Sequence, residues 1–285
     1  MSGAAASDAS DFCATHVREF ARDQYLATLF APAAQRPDLY ALYAFSIEIT
    51  RIPPVVREPM AGEVRLQWWH EALHGLRNEE AQANPTAAAL RAALARHPQI
   101  DRARLLTLLD ARTADLYADP VEAMPSLERY ADETNGAILQ AAMAILSPDA
   151  STQSIPLSRH AAFVLTVGDI VKHFARDAAR GKTYLPQDIA QQHGVNLDGI
   201  SSREGAATVT NALCALATDA RARLKELGEY AAGGARYAPA LLPAFAVPLY
   251  LDRVESAGFD PYQMVPDVPQ WRRQWAMWRA ARRFK

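Results

Sequence analysis

Asp169, His173 and Asp177 recur at four-residue intervals, which on a helix places all three on one face. An imidazole with two carboxylates is a donor set that suits Zn2+, Mn2+ or Fe2+ better than Mg2+. Eight residues of helix rise by about 12 Å, however, so a single ion reaches only a pair of them unaided. The set reads either as a metal-binding pair or as a polar stripe salt-bridged by Lys172 or Arg176. A second string, His70-Glu71-Ala72-Leu73-His74, has the spacing at which two imidazoles hold zinc and a glutamate activates water. Its extended form needs Gly at position 77 and His at 80, where the chain has Arg77 and Glu80. The bland alternative is an amphipathic helix with two surface imidazoles. At the other end of the chain, Trp271, Trp275 and Trp278 fall on one helical face among Arg272, Arg273, Arg279, Arg282, Arg283 and Lys285. Segment 270–285 therefore either meets an anionic membrane surface or a protein partner, or packs its indoles on a bundle and leaves its arginines in water.

The elements that must carry these residues are helical. Half of the 285 residues are hydrophobic, only 13 are glycine, and apolar residues recur at three- and four-residue spacing with no alternating strand run. Start and stop signals predict about ten helices, near 10–30, 37–52, 60–78, 85–97, 101–118, 126–146, 155–180, 203–232, 239–257 and 270–283. Pro37 and Pro85 suit first turns, Ser126 follows a break at Pro125, and Pro53-Pro54 cannot continue the helix that holds Tyr43 and Phe45. Gly181 and Pro186 close the long helix of Asp169, and Gly233 to Pro248 reads as a kinked connection inside one domain. No polar linker divides the chain, so a single domain over 1–285 is expected, with 1–10 unstructured.

Thirty basic against 32 acidic residues, a net charge of -2, argue against a nucleic-acid partner. Cys13 and Cys214 stand alone without metal-type spacing, as in a reducing compartment. Neither a signal-type h-region at the start nor an uninterrupted run of about 18 apolar residues is present. The expected location is the cytoplasm, with peripheral membrane association through 270–285 as the alternative.

Three runs together resemble a known family. They are Asp23-Gln24-Tyr25-Leu26-Ala27-Thr28-Leu29-Phe30 with Leu42-Tyr43-Ala44-Phe45, then Leu66-Gln67-Trp68-Trp69, then Arg176-Asp177-Ala178-Ala179-Arg180-Gly181-Lys182-Thr183-Tyr184-Leu185-Pro186. They are similar to squalene/phytoene synthases, and the likeness runs from about residue 12 to the C-terminus, where Tyr250 to Tyr262 looks like the closing helix and loop. The resemblance implies an all-α, isoprenoid-synthase-like helical bundle around a central cavity, in which two acidic helical motifs hold Mg2+ against the diphosphate of an isoprenyl substrate. In this chain the first motif falls on Thr50 and Pro54 with Arg51 between them, and the second on His173, Arg176 and Asp177.

Only Asp177 keeps its carboxylate, so the resemblance implies a retained fold with degenerate metal motifs. Phe45 to Glu48, Arg57-Glu58-Pro59 and Arg65 to Trp69 look like a divergent branch of the family that includes the mitochondrial complex I assembly factors and bacterial relatives. Arg51, Arg176, Arg180 and Lys182 stand where metal and diphosphate would meet and could bind a phosphorylated ligand directly, or be ordinary surface charge. Tyr25, Tyr43 and Tyr184 match aromatic positions near the family pocket and line a lipid-shaped cavity or are simply core. Two functions follow. One is a non-catalytic protein that binds an isoprenyl diphosphate or lipid, or acts in assembly. The other is an active prenyltransferase with altered use of Mg2+ or another divalent metal through Asp169, His173 or Asp177.

Overall fold

The computed structural model describes residues 3–148, 154–230, 234–265 and 267–284, with side chains from Asp8 onward. Its α-helices, in chain order, begin with α1 (Gly3–Phe20), α2 (Arg22–Thr28), α3 (Arg36–Thr50), α4 (Ile52–Val55), α5 (Pro59–His74), α6 (Asn78–Ala83), α7 (Pro85–Arg96) and α8 (Arg102–Ala114). They continue with α9 (Met124–Ala131), α10 (Ala137–Leu146), α11 (Ser154–Ala178), α12 (Gln187–Gln192), α13 (Ala206–Glu229), α14 (Ala238–Leu241), α15 (Pro248–Val254) and α16 (Gln270–Ala281). The fold is all-α, as expected, with no strand among the described residues.

Every predicted span contains helix, but α6 and α12 lie between predicted spans, and 239–257 is divided into α14, a 3-10 segment Leu242–Ala246 and α15. The first span is divided at Ala21, and helix begins at Gly3, where 1–10 was expected to be unstructured. Pro53-Pro54 end α3 as predicted but also open a further short helix, because a proline costs nothing in a first turn whose amides have no partner. Pro125 likewise starts α9 instead of breaking before Ser126. A π-helical turn, Asp132–Gly136, separates α9 from α10. Helix α13 starts three residues later than predicted, because Arg203 and Gly205 take positive φ angles of 62° and 63°. Residues 231–232 of its predicted end, Gly233 of the kinked connection, and Lys285 lie outside the described residues.

By packing, the chain forms two compact units. The first comprises Met1–Leu116, Ala137–Ile155 and Gly234–Leu241. Its centre is α3, apolar on all sides, with Leu39, Leu42, Tyr43, Phe45 and Ile49 buried against α1, α7 and α10. Each such side chain stabilises the unit by about 1.5–3 kcal/mol. Asp38 is the buried exception, accepting from Arg96 and, at 2.8 Å, pairing with His97 Nε2. The second unit comprises Tyr117–Gly136, Pro156–Gly233 and Leu242–Lys285. In it α11 passes so close to Val247 that a Cβ on Gly168 would lie 2.9 Å from a Val247 methyl. Asn135, aimed by the π turn, donates to Thr166 of α11 at 2.9 Å.

Candidate functional site

Helix α11 sets the face predicted for Asp169, His173 and Asp177, but each carboxylate there is engaged by a cation. Lys172 Nζ lies 2.8 Å from Asp169 Oδ1, one turn along the helix. Arg176 folds back so that its Nε and Nη2 both donate to Asp177 Oδ1 at 2.9 Å, and Asp177 is buried. Between them His173 is held below its ordinary pKa by burial first; Lys172 and Arg176 add to the depression while Asp169 and Asp177 oppose it. Among the described residues no group of three or more His, Cys, Asp or Glu is placed to hold an ion. A divalent metal at the end of α11 would compete with Lys172 and Arg176 for the two carboxylates, each of which is paired through Oδ1.

The run after α11 is held by its own residues. Gly181 takes φ +69°, a backbone state that costs other residues energy, and turns the chain out of the helix. Lys182 Nζ then donates to the Tyr117 carbonyl at 2.8 Å and stands 5.0 Å above the Tyr184 ring, which itself lies 5.3 Å from Tyr130. Arg180 is exposed. Of the four predicted anion-binding cations, Arg176 and Lys182 are therefore occupied within the second unit.

Tyr25, Tyr43 and Arg51 belong to the first unit. Thr50 ends α3 on the surface and Arg51 caps it, its guanidinium 3.9 Å over the Phe20 ring. Arg51 borders a cavity of about 390 Å³, with His16, Glu48, Arg65, Trp68, Trp69 and Asn84 among its walls. His16 stacks on Phe12 at 5.6 Å and meets the tilted Phe20 ring at 4.9 Å, and its buried Nε2 has no hydrogen-bond partner among the described residues. Burial, and then Arg51, lower the His16 pKa, whereas burial raises that of Glu48. Cys13 is pushed up to about 12 by burial and then by Glu48, so it is an inert thiol.

Neither Tyr25 nor Tyr43 lines this cavity: Tyr43 is fully buried core, and Tyr25 stacks on Tyr40 at 5.4 Å. His16 and Asn84 carried no sequence signal, because they come from α1 and from the residue before α7. Glu48, Arg65, Trp68 and Trp69 were visible as parts of the branch pattern, without any sign that they would meet. The His-Glu-x-x-His string lies on α5 with its rings 4.8 Å apart. Its glutamate accepts from Gln67 at 3.0 Å and pairs with Arg77 at 2.5 Å, so it is not available as a base. Arg77 also holds Glu80, to which Trp68 donates at 2.8 Å.

This helical arrangement is that of the isoprenoid synthases: a dehydrosqualene synthase solved in complex with a ligand superposes with a TM-score of 0.74 at 16% identity, covering 96% of each chain. The chain belongs to the squalene/phytoene synthase family, whose pattern it matches over residues 17–279. It is 25% identical over 260 residues to NADH dehydrogenase (ubiquinone) complex I, assembly factor 6, of Bos taurus, covering 91% of this chain and 78% of that protein. To 15-cis-phytoene synthase of Synechococcus elongatus it is 25% identical over 290 residues, covering 95% of this chain and 91% of that one.

Proposed function

We propose that the chain is a non-catalytic member of its family, with degenerate acidic motifs, that serves assembly of a respiratory NADH dehydrogenase instead of joining isoprenyl diphosphates. The observation that carries this reading is the Arg176–Asp177 pair. Ionising an allylic diphosphate develops negative charge on the departing pyrophosphate, which divalent ions held by carboxylates must neutralise. Thr50 and Pro54 offer no carboxylate, and the only one left at the second motif is paired with Arg176 through Oδ1. The mammalian relatives named as complex I assembly factors, similar over most of the chain, support the same reading.

The test has two arms. Purified protein incubated with farnesyl or geranylgeranyl diphosphate and Mg2+, Mn2+ or Zn2+ is expected to release no pyrophosphate. Deleting the gene in its host is expected to deplete assembled NADH dehydrogenase on native gels, and re-expression to restore it. Metal-dependent turnover abolished by Asp177→Ala would establish the second reading, an active prenyltransferase with altered metal use. The surviving Asp177 carboxylate and the phytoene synthase relative favour that alternative.

A further inference from the structure

Helix α16 turns Met277 and Ala280 inward, and Phe284 beyond it meets Phe245 edge-on at 5.8 Å. Its tryptophans go the other way: Trp271, Trp275 and Trp278 are 68%, 54% and 38% exposed. Trp275 and Trp278 stack at 4.9 Å, and the Arg282 guanidinium lies 4.2 Å over Trp278. Alongside runs a groove of about 390 Å³, floored by Leu224, Phe245, Pro248 and Leu249 and edged by Trp271, Trp275 and the arginines 272, 279 and 283. From Val268 to Phe284 every charged residue is an arginine. Arg273 pairs with Asp267 at 3.4 Å, whereas Arg272, Arg279, Arg282 and Arg283 have no ion pair among the described residues.

We propose that this face of α16 and the groove beside it dock on an anionic phospholipid bilayer, the indoles entering the headgroup boundary and the arginines meeting lipid phosphates. Charge selects the occupant. A cationic face of a single sign complements a surface of opposite sign, and a second copy of the same face would set arginine against arginine. Indoles are suited to a boundary that is apolar on one side and wet on the other. Twelve residues are too few to cross a bilayer, so the helix lies along the surface. The proposal goes beyond assembly and catalysis alike and stands whichever of those readings holds.

The experiment is co-sedimentation of the full chain with phosphatidylcholine vesicles, with and without phosphatidylglycerol, together with quenching of tryptophan emission by brominated lipid. Binding is expected only to the anionic vesicles and is lost in high salt. With about a five-fold contribution from each arginine, Arg272→Glu/Arg279→Glu/Arg283→Glu weakens it at least a hundredfold. Trp271→Ser/Trp275→Ser/Trp278→Ser abolishes the quenching, and unchanged circular dichroism confirms that both variants fold. Equal binding to neutral vesicles, no binding to either, or binding indifferent to both variants overturns the proposal. Absence of vesicle binding together with a dimer that the tryptophan variant dissociates would make the face a self-interface.

Discussion

At the end of α11, His173 and Arg176 stand where the family resemblance places carboxylates, and Arg176 pairs with the one that remains, Asp177. Nε and Nη2 of Arg176 both meet Asp177 Oδ1, so a metal would reach the remaining oxygen only against a neighbouring positive charge. The variant His173→Asp/Arg176→Glu removes that cation and adds two carboxylates to Asp169 and Asp177. It is expected to gain an Mg2+-dependent rise in Tm of about 5 °C at a hundredfold excess over Kd, absent from the parent protein, by differential scanning fluorimetry. No rise would mean that Arg176 is not what excludes the ion. Titration gives a second prediction at this scale. Burial is the largest cause lowering the pKa of His16, His160 and His173 in the folded chain. From the unfolded value of 6.5 downward the unfolded state then binds more protons, so stability is present above that pH and lost as pH falls below it. Tm is expected to drop as pH falls below about 6.5, and His173→Gln to flatten the drop. A third concerns Asp38. It is buried and bound by Arg96 and His97, so Asp38→Ala strands their donors and should cost about 2 kcal/mol in urea unfolding, less than a fully buried pair because Arg96 is 57% exposed.

Packing between helices depends on the smallest side chains. Gly168 sits in the middle of α11, where an alanine would raise helix propensity by about 1 kcal/mol. A Cβ there would press on two Val247 methyls at 2.9 and 3.1 Å, and Val247 is itself buried. Overpacking of this kind costs about 1–3 kcal/mol, so the clash wins and Gly168→Ala lowers Tm. Gly168→Ala/Val247→Ala should recover part of the loss. If Gly168→Ala stabilised the protein instead, the contact between α11 and the start of α15 would be looser than described. The same balance of local preference against neighbours explains the helix boundaries. Asn84 and Asp101 cap α7 and α8 through Ala87 and Ala103 amides at 2.9 and 3.0 Å, a pattern available from adjacent residues. The π turn at Asp132–Gly136 has no such local signal and goes unseen in the sequence.

Over the whole molecule, neither unit is a contiguous half of the chain. The first borrows α10 and α14 from later sequence, and α10 packs on α3 and α8. A fragment that stops at Leu116 leaves those faces uncovered. It is expected to lack fixed tertiary structure by near-ultraviolet circular dichroism, and a native-like spectrum would show that α10 is dispensable.

What the amino-acid sequence determined by itself is the helical class, most helix spans and the family, because these rest on periodicity, proline and glycine positions and runs such as Gly181-Lys182-Thr183-Tyr184-Leu185-Pro186. Lys172 beside Asp169 was legible for the same reason, being one helical turn away. Tertiary structure alone decided the rest. Arg176 was legible as a salt-bridge partner of the stripe, but adjacent residues on a helix do not normally face each other, so its choice of Asp177 was not. Lys182 reaches the Tyr117 carbonyl across 65 residues, and His16, Glu48, Arg65 and Asn84 meet at one cavity from separate segments. The identity of a candidate ligand is written in the chain, but whether its charge is free or already spent on a neighbour depends on contacts that only the folded packing creates.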